Sequence, residues 1–150
     1  GKGAGQGAKS YDYYGTLAGA ICWGPVDSVL AVIVDGKNII NGPVTLSTDA
    51  TNLSLSSGNE KYLLPSGDGG RLTIYKGTAT QNADTALTGT APPHGAYRGI
   101  CYLVAVGLLF GRERTMAPNV QVTVRRKPVA DTSLVASGDN TVDAQGNATP

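Results

Sequence analysis

Histidine, glutamate, cysteine and charge in general are all scarce in this chain, and each shortage excludes a class of chemistry. Of 150 residues one is His, two are Glu and two are Cys. His94 has no second His, no Cys pair at ligand spacing and no Glu-x-x-His motif beside it, so no zinc or di-iron site assembles from recognisable parts. A Ser-His-Asp triad stays open, because its members need not be neighbours in sequence, but no G-x-S-x-G elbow occurs. The plainer reading of His94, set in Pro92-Pro93-His94-Gly95, is a turn residue whose ring caps a nearby backbone group. A paired-carboxylate site finds only Glu60 and Glu113. The Asp residues sit mostly in turns such as Asp35-Gly36 and Asp68-Gly69, where a short side chain bonds its own backbone. These residues assemble no catalytic, metal or cofactor site.

Charged residues make up 15% of the chain, against about 25% in an average soluble domain. With a net charge of +1 the chain as a whole is not a polyanion binder, so a nucleic-acid role would need a local patch. Two cysteines are too few for a disulfide scaffold. Cys22 and Cys101 could form one bridge, but each lies in an apolar stretch and reads as a buried free thiol. The longest apolar run, residues 100–110, falls short of the ~20 residues a membrane-spanning helix needs. The N-terminus is Gly-rich and polar where a signal peptide would be apolar, so the expectation is a soluble, unexported chain. It opens on Gly, which reads either as loss of an initiator Met or as a piece of a longer chain.

What is present favours strands. There are 21 Gly, many Thr and Ser, and few Glu, Met and Phe, which predicts a mainly β domain, barrel-like or sandwich, with short helical excursions. Residues 1–10 read as a flexible Gly/Lys-rich arm, 11–128 as the folded β-rich domain, and 129–150 as a linker or extended arm. Gly5-Gln6-Gly7-Ala8-Lys9-Ser10 only superficially looks like a phosphate loop, because Ala8 separates Gly from Lys and no strand precedes it.

Within the domain, Val29-Leu30-Ala31-Val32-Ile33-Val34 predicts a strand buried on both faces. Asp35-Gly36 predicts a type I′ hairpin into Lys37-Asn38-Ile39-Ile40. Leu72-Thr73-Ile74-Tyr75 and residues 97–106 read as further strands. Val120-Gln121-Val122-Thr123-Val124-Arg125 alternates strictly and predicts a half-exposed strand. Residues 17–21 and 80–87 are the candidates for short helical turns, and 45–64 shows no clear period. One charge feature stands out: Arg112, Arg114, Arg125, Arg126 and Lys127 are opposed only by Glu113. They are the candidate subunit interface, with a solvated strand end or phosphate contacts as the alternatives.

Three stretches then occur in a telling order. The first is Tyr13-Tyr14, then Leu17-Ala18-Gly19-Ala20-Ile21-Cys22-Trp23-Gly24-Pro25-Val26-Asp27, running on to Val32-Ile33-Val34-Asp35-Gly36-Lys37. The second is Ile74-Tyr75-Lys76-Gly77-Thr78, followed by Pro93-His94-Gly95-Ala96-Tyr97-Arg98-Gly99-Ile100-Cys101-Tyr102. The third is Gly111 and then Pro118-Asn119-Val120-Gln121-Val122-Thr123-Val124-Arg125. Together they resemble the N-terminal region of tail-tip proteins of long-tailed bacteriophages, the baseplate-hub or tip-attachment proteins also found in gene-transfer agents. Trp23 stands where that family commonly has an acidic residue, and Gly95 replaces a Pro.

The resemblance implies a non-enzymatic virion component of the tail tip, assembled in the host cytoplasm. It would close the tail tube as a homotrimer with other tail proteins, serve host attachment, and let DNA and tape measure pass. It implies no cofactor, and it makes Trp23, Gly24, Pro25, His94, Tyr97, Arg98, Gly99, Pro118 and Asn119 structural motif residues. Two rival readings remain. One is a host-surface glycan-binding module, for which Tyr11, Tyr13 and Tyr14 are the aromatic group. The other is a cell-wall hydrolase, against which one His and two Glu argue.

Overall fold

The computed structural model describes residues 11–89, 94–112, 116–126, 141–142 and 148–149. The strands are β1 (Asp12–Trp23), β2 (Ser28–Val34), β3 (Lys37–Asn38), β4 (Val44–Thr45), β5 (Ala50–Asn52), β6 (Arg71–Tyr75), β7 (Ile100–Arg112), β8 (Val120–Arg125), β9 (Thr141–Val142) and β10 (Ala148–Thr149). One helical turn, α1 (Thr85–Thr88), and two short 3-10 turns, Glu60–Tyr62 and Ser66–Asp68, interrupt them. The protein is therefore mainly β, as its composition predicts. Two antiparallel sheets carry it, one in the order β1-β7-β6-β5 and one in which β2 pairs with β3 and β4 on one edge and β8 on the other. A further two-stranded ladder joins β9 to β10.

The hairpin at Asp35-Gly36 forms as predicted. Both residues take positive φ, 47° and 86°, and β2 turns back so that Val34 faces Lys37. Its partner β3 is shorter than the sequence suggests. Asn38 ends it by turning its side-chain oxygen to accept from the amides of Val32 and Ile40. In β2 the fully buried residues are Val29, Val32 and Val34, with Leu30, Ala31 and Ile33 half-buried. The change from odd to even positions follows from a bulge between Val29 and Ala31, since one extra residue flips the faces. Strand β8 alternates as expected, with Gln121, Thr123 and Arg125 outward and Val120, Val122 and Val124 against the core.

Three expectations need correction. Residues 17–21 are not a helical turn but the middle of β1, because β7 offers them a full antiparallel ladder from Leu17 opposite Ala105 to Ala20 opposite Tyr102. The strand expected at 97–106 begins three residues later and extends to Arg112. Tyr97 sits in a turn with φ of 49°, from which its carbonyl accepts the Ile100 amide. The helical turn expected over 80–87 is confined to α1, started by Asp84. The unassigned stretch 45–64 supplies β5, a 3-10 turn and two isolated bridges, Ile40 to Leu55 and Leu63 to Leu108. The arm at 1–10 and most of 129–150 lie outside the described residues.

Strand β7 is buried on both faces. Cys101, Leu103 and Ala105 join Leu72 and Ile74 of β6 and the valines of β2 in the core between the sheets. Tyr102 and Val104 point the other way, into a second cluster with Tyr75 and Leu87, where the Tyr75 and Tyr102 rings stack at 4.4 Å. This outer cluster is braced by Asp84, which is 1% exposed. Its carboxylate accepts from both terminal nitrogens of Arg71 (2.8 and 2.7 Å), from the Tyr75 hydroxyl (2.7 Å) and from the Ala86 amide (2.8 Å). Burial by itself would raise the Asp84 carboxyl, but the bonds from Arg71, Tyr75 and Ala86 outweigh it and hold it down at about 2. Burial, and then the same Asp84 bond, push the Tyr75 hydroxyl upward.

A carboxyl lowered to about 2 from an unfolded value near 4 stabilises the fold fully above about pH 4. That contribution is lost as pH falls toward 2. Asp84→Asn, which breaks a buried pair, is expected to cost about 3 kcal/mol at neutral pH. It should also flatten the loss of stability between pH 4 and pH 2, measured by urea unfolding. An equal acid slope in both proteins would place the acid sensitivity elsewhere.

Candidate functional site

Among the described residues β1 is the longest edge strand and pairs with β7 alone, so along its twelve residues the other side meets no partner strand. Soluble proteins usually blunt such an edge with charge, proline, bulges or short length. After Asp12, β1 contains neither charge nor proline. It does carry register shifts at Tyr13/Tyr14, Gly15/Leu17 and Ala20/Cys22, which twist the strand without putting a charge on it. At Gly15 the local reason is visible: a Cβ there would meet the Phe110 ring at 2.5 Å, so only glycine lets that ring lie across the strand.

The exposed apolar surface gathers at the same place. Tyr11, Tyr13, Tyr14 and Trp23 flank or belong to β1, and Trp23 is 72% exposed. The face of β1 toward the interior presents half-buried Leu17 and Ile21 to an open groove of about 490 Å³, whose other wall is Pro118, Val120 and Val122 of and before β8. Among the described residues β1 and β8 do not pair along this groove, and the strands form two antiparallel sheets with no closed barrel ladder between them. The opposite side is joined by backbone bonds. Ile40 bridges Leu55, and the Ser56 amide donates to the Ile39 carbonyl.

Of the basic residues of the candidate interface, those among the described residues stand at the two ends of β1. Arg112 stands opposite Asp12, at the start of β1. Arg125 and Arg126 are exposed at the other end, where the Arg126 guanidinium donates to the Trp23 carbonyl at 2.7 Å and the Asp27 amide donates to the Arg125 carbonyl. Sequence proximity misleads here because β7 and β8 run along different sheets. Arg114 and Lys127 lie outside the described residues.

Gly24, Pro25, Tyr97, Arg98 and Gly99 of the motif, by contrast, meet at one crossing. The Gly24-Pro25 bond is cis, and a Cβ on Gly24 would stand 2.5 Å from the Gly77 Cα and 2.6 Å from the Lys76 carbonyl oxygen. The Gly24 amide donates to the Gly99 carbonyl, and the Gly99 amide donates to that of Thr78. Gln81, fully buried, ties these turns together. Its oxygen accepts from the amides of Gly77 and Thr78, and its nitrogen donates to the carbonyls of Ala96, Tyr97 and Ile100. Arg98 donates through Nε to the Gln81 carbonyl. His94 does not cap backbone with its ring, as expected, but pairs through Nδ1 with the Tyr97 hydroxyl. Farther off, Pro118 is buried, and Asn119 exchanges bonds with Asp35, its amide donating to the Asp35 side chain.

Sequence reasoning missed Gln81 and Asp84. Asp84 carried a usable signal, since Asp before Thr-Ala-Leu-Thr is a helix N-cap. Gln81 carried none, because its role depends on joining the neighbouring Gly77-Thr78 turn to the turn from Ala96 to Ile100, which is distant in sequence. Among the described residues no group of His, Cys, Asp and Glu is placed to hold a metal ion, and no helix is long and apolar enough to cross a membrane. Compared with known proteins, the chain matches no family model and no curated protein.

An edge without charge should associate. The protein is expected to sediment as concentration-dependent oligomers. Thr16→Lys with Ala18→Lys, both at exposed β1 positions, should weaken that association at least about tenfold, or about 1.4 kcal/mol. Folding stability should change by only about 0.5 kcal/mol per site. A pair of lysines that left the oligomer intact would move the interface away from β1. The Gly24→Ala substitution instead tests the crossing, and it should destabilise the fold by about 1–3 kcal/mol in thermal or urea melts.

Proposed function

We propose that this chain is a structural subunit that assembles through its open β edge, in the tail tip or baseplate hub of a tailed bacteriophage. The observation that carries the assembly reading is β1, twelve residues of edge with exposed aromatics at both ends and no charge after Asp12. The location in a tail tip is supported by the order of the Gly-Pro, Tyr-Lys-Gly-Thr and Tyr-Arg-Gly stretches. Those stretches meet at the Gly24–Gly77–Gly99 crossing, where they act as architecture. In this reading three copies close the end of the tail tube, other tail proteins pack against them, and the work is mechanical. Opening the ring on adsorption lets tape measure and DNA through. Host attachment belongs to parts mounted on the ring.

A second reading has one observation in its favour. An apolar hollow of about 460 Å³ lies on the outer face of β1 and β7, bounded by Leu87, His94, Tyr97, Ile100 and Tyr102. Exposed Tyr97, beside His94, offers a ring face and polar atoms of the kind that hold a sugar, so a glycan-binding module is the alternative. A cell-wall hydrolase gains no such support.

Immunogold electron microscopy of particles, with antibody against this domain, separates the readings. Gold confined to the distal tail tip is expected. Unlabelled tailed particles with free antigen would overturn the hub reading and turn attention to glycan arrays.

A further inference from the structure

The sequence leaves open whether the chain's two cysteines pair, and the register of β1 and β7 brings them together. Cys22 and Cys101 are direct partners in that ladder, and both are free thiols. The bulge between Ala20 and Cys22 makes the pairing, for without the extra residue Ile21 would stand opposite Cys101. Directly opposed residues of antiparallel strands have Cα atoms about 4.5–5.5 Å apart. A disulfide spans Cα separations of about 4.4–6.8 Å.

Their exposures differ in a way that orders a reaction. Cys101 is fully buried in the inter-sheet core, while Cys22 is half-buried and lines a shallow opening of about 200 Å³ with Trp23 and Ile100. Burial first, and then Cys22, push the Cys101 thiol up to about 12, so it is not the first nucleophile.

We propose that Cys22 and Cys101 are a redox site, a cross-strand dithiol that a disulfide oxidant closes through Cys22. The Cys22 thiolate attacks one sulfur of oxidised glutathione, and a glutathione thiolate leaves. The Cys101 sulfur then attacks the Cys22 sulfur of the mixed disulfide, loses its proton, and expels the second glutathione. Two protein thiols are oxidised, one glutathione disulfide is reduced, and the two thiol protons end on two glutathiones. A reducing compartment keeps the pair open and an oxidising one closes it. Closure ties the Trp23 end of the open edge to β7 covalently. The site stands on the β1–β7 register and holds whatever β1 assembles with.

The test exposes the whole chain to oxidised glutathione without denaturant, then reads intact mass and a non-reducing peptide map. The expected product is a monomer lighter by two hydrogens, with a Cys22–Cys101 cross-linked peptide, reversed by dithiothreitol. Its melting temperature should rise by roughly 5–10 °C. Cys101→Ser should stop at a glutathione adduct on Cys22, and Cys22→Ser should leave Cys101 at least about tenfold slower to react. A wild-type protein that stays fully reduced, keeps a stable glutathione adduct, or cross-links between chains would overturn the proposal. So would a Cys101 that reacts as fast as Cys22.

Discussion

Double burial of β7 is the constraint on which the rest of this fold depends. A strand paired along both edges, with apolar side chains on both faces, needs a partner sheet on one side and a second cover on the other. The partner sheet is β2 with its neighbours, and the seam between them is filled by valine, isoleucine and leucine. The cover is smaller and more polar. It consists of the stacked Tyr75 and Tyr102 rings and the described parts of the following connection, 78–89 and 94–99, held down by Asp84 and Gln81. Asp84 and Gln81 are buried there because each has every one of its hydrogen bonds directed at an element that must stay in place. Without those bonds a buried carboxylate and a buried amide would each cost more than the packing around them returns.

That arrangement leaves the two sides of the sandwich unequal. On the β5 side the chain itself crosses between the sheets, and backbone bonds close the gap. On the β1 side none of the described residues crosses at the groove, and the Arg126 bond to Trp23 is a side-chain contact at one end. A barrel removes its edges by closing on itself, whereas a sandwich open on one side keeps two edges facing one groove. Both edges here are poor in charge along the groove, with valines on one and leucine, isoleucine, glycine and alanine on the other.

Most of the architecture could be read from the sequence, and the failures have a common cause. The β2–β3 hairpin, β6 and β8 follow from local signals: a turn that needs positive φ, β-branched runs, and strict alternation. Strand β1 was hidden because Gly15, Ala18, Gly19 and Ala20 are weak strand formers. Their conformation is imposed by the neighbour β7, an effect that no short window contains. The start of β7 was misplaced for the converse reason. Tyr97 favours strands, but its backbone is fixed by the turn that Gln81 and Gly99 build. Candidate sites divided in the same way. Gly24 was legible as a motif residue but its close approach to Gly77 was not, and Arg112 looks near Arg125 only because sequence distance hides which sheet each strand joins.

The bulges in β1 shape both its edge and its inward face. An edge that is merely unprotected would be expected to stack without limit, since a flat ladder offers the same register to every comer. Three register shifts in twelve residues make the edge of β1 unlike a flat ladder. A partner strand must follow the same kinks, so shape restricts who can bind even though charge does not. The same shifts choose what faces the core. The first lies beside the position where glycine admits the Phe110 ring, and the last turns Cys22 toward Cys101 rather than leaving it outward. Selectivity of the edge and placement of the thiol pair therefore have one origin, the insertion of single residues into β1. A change that removed the last bulge would move Cys22 away from its partner and straighten the edge at Trp23 together.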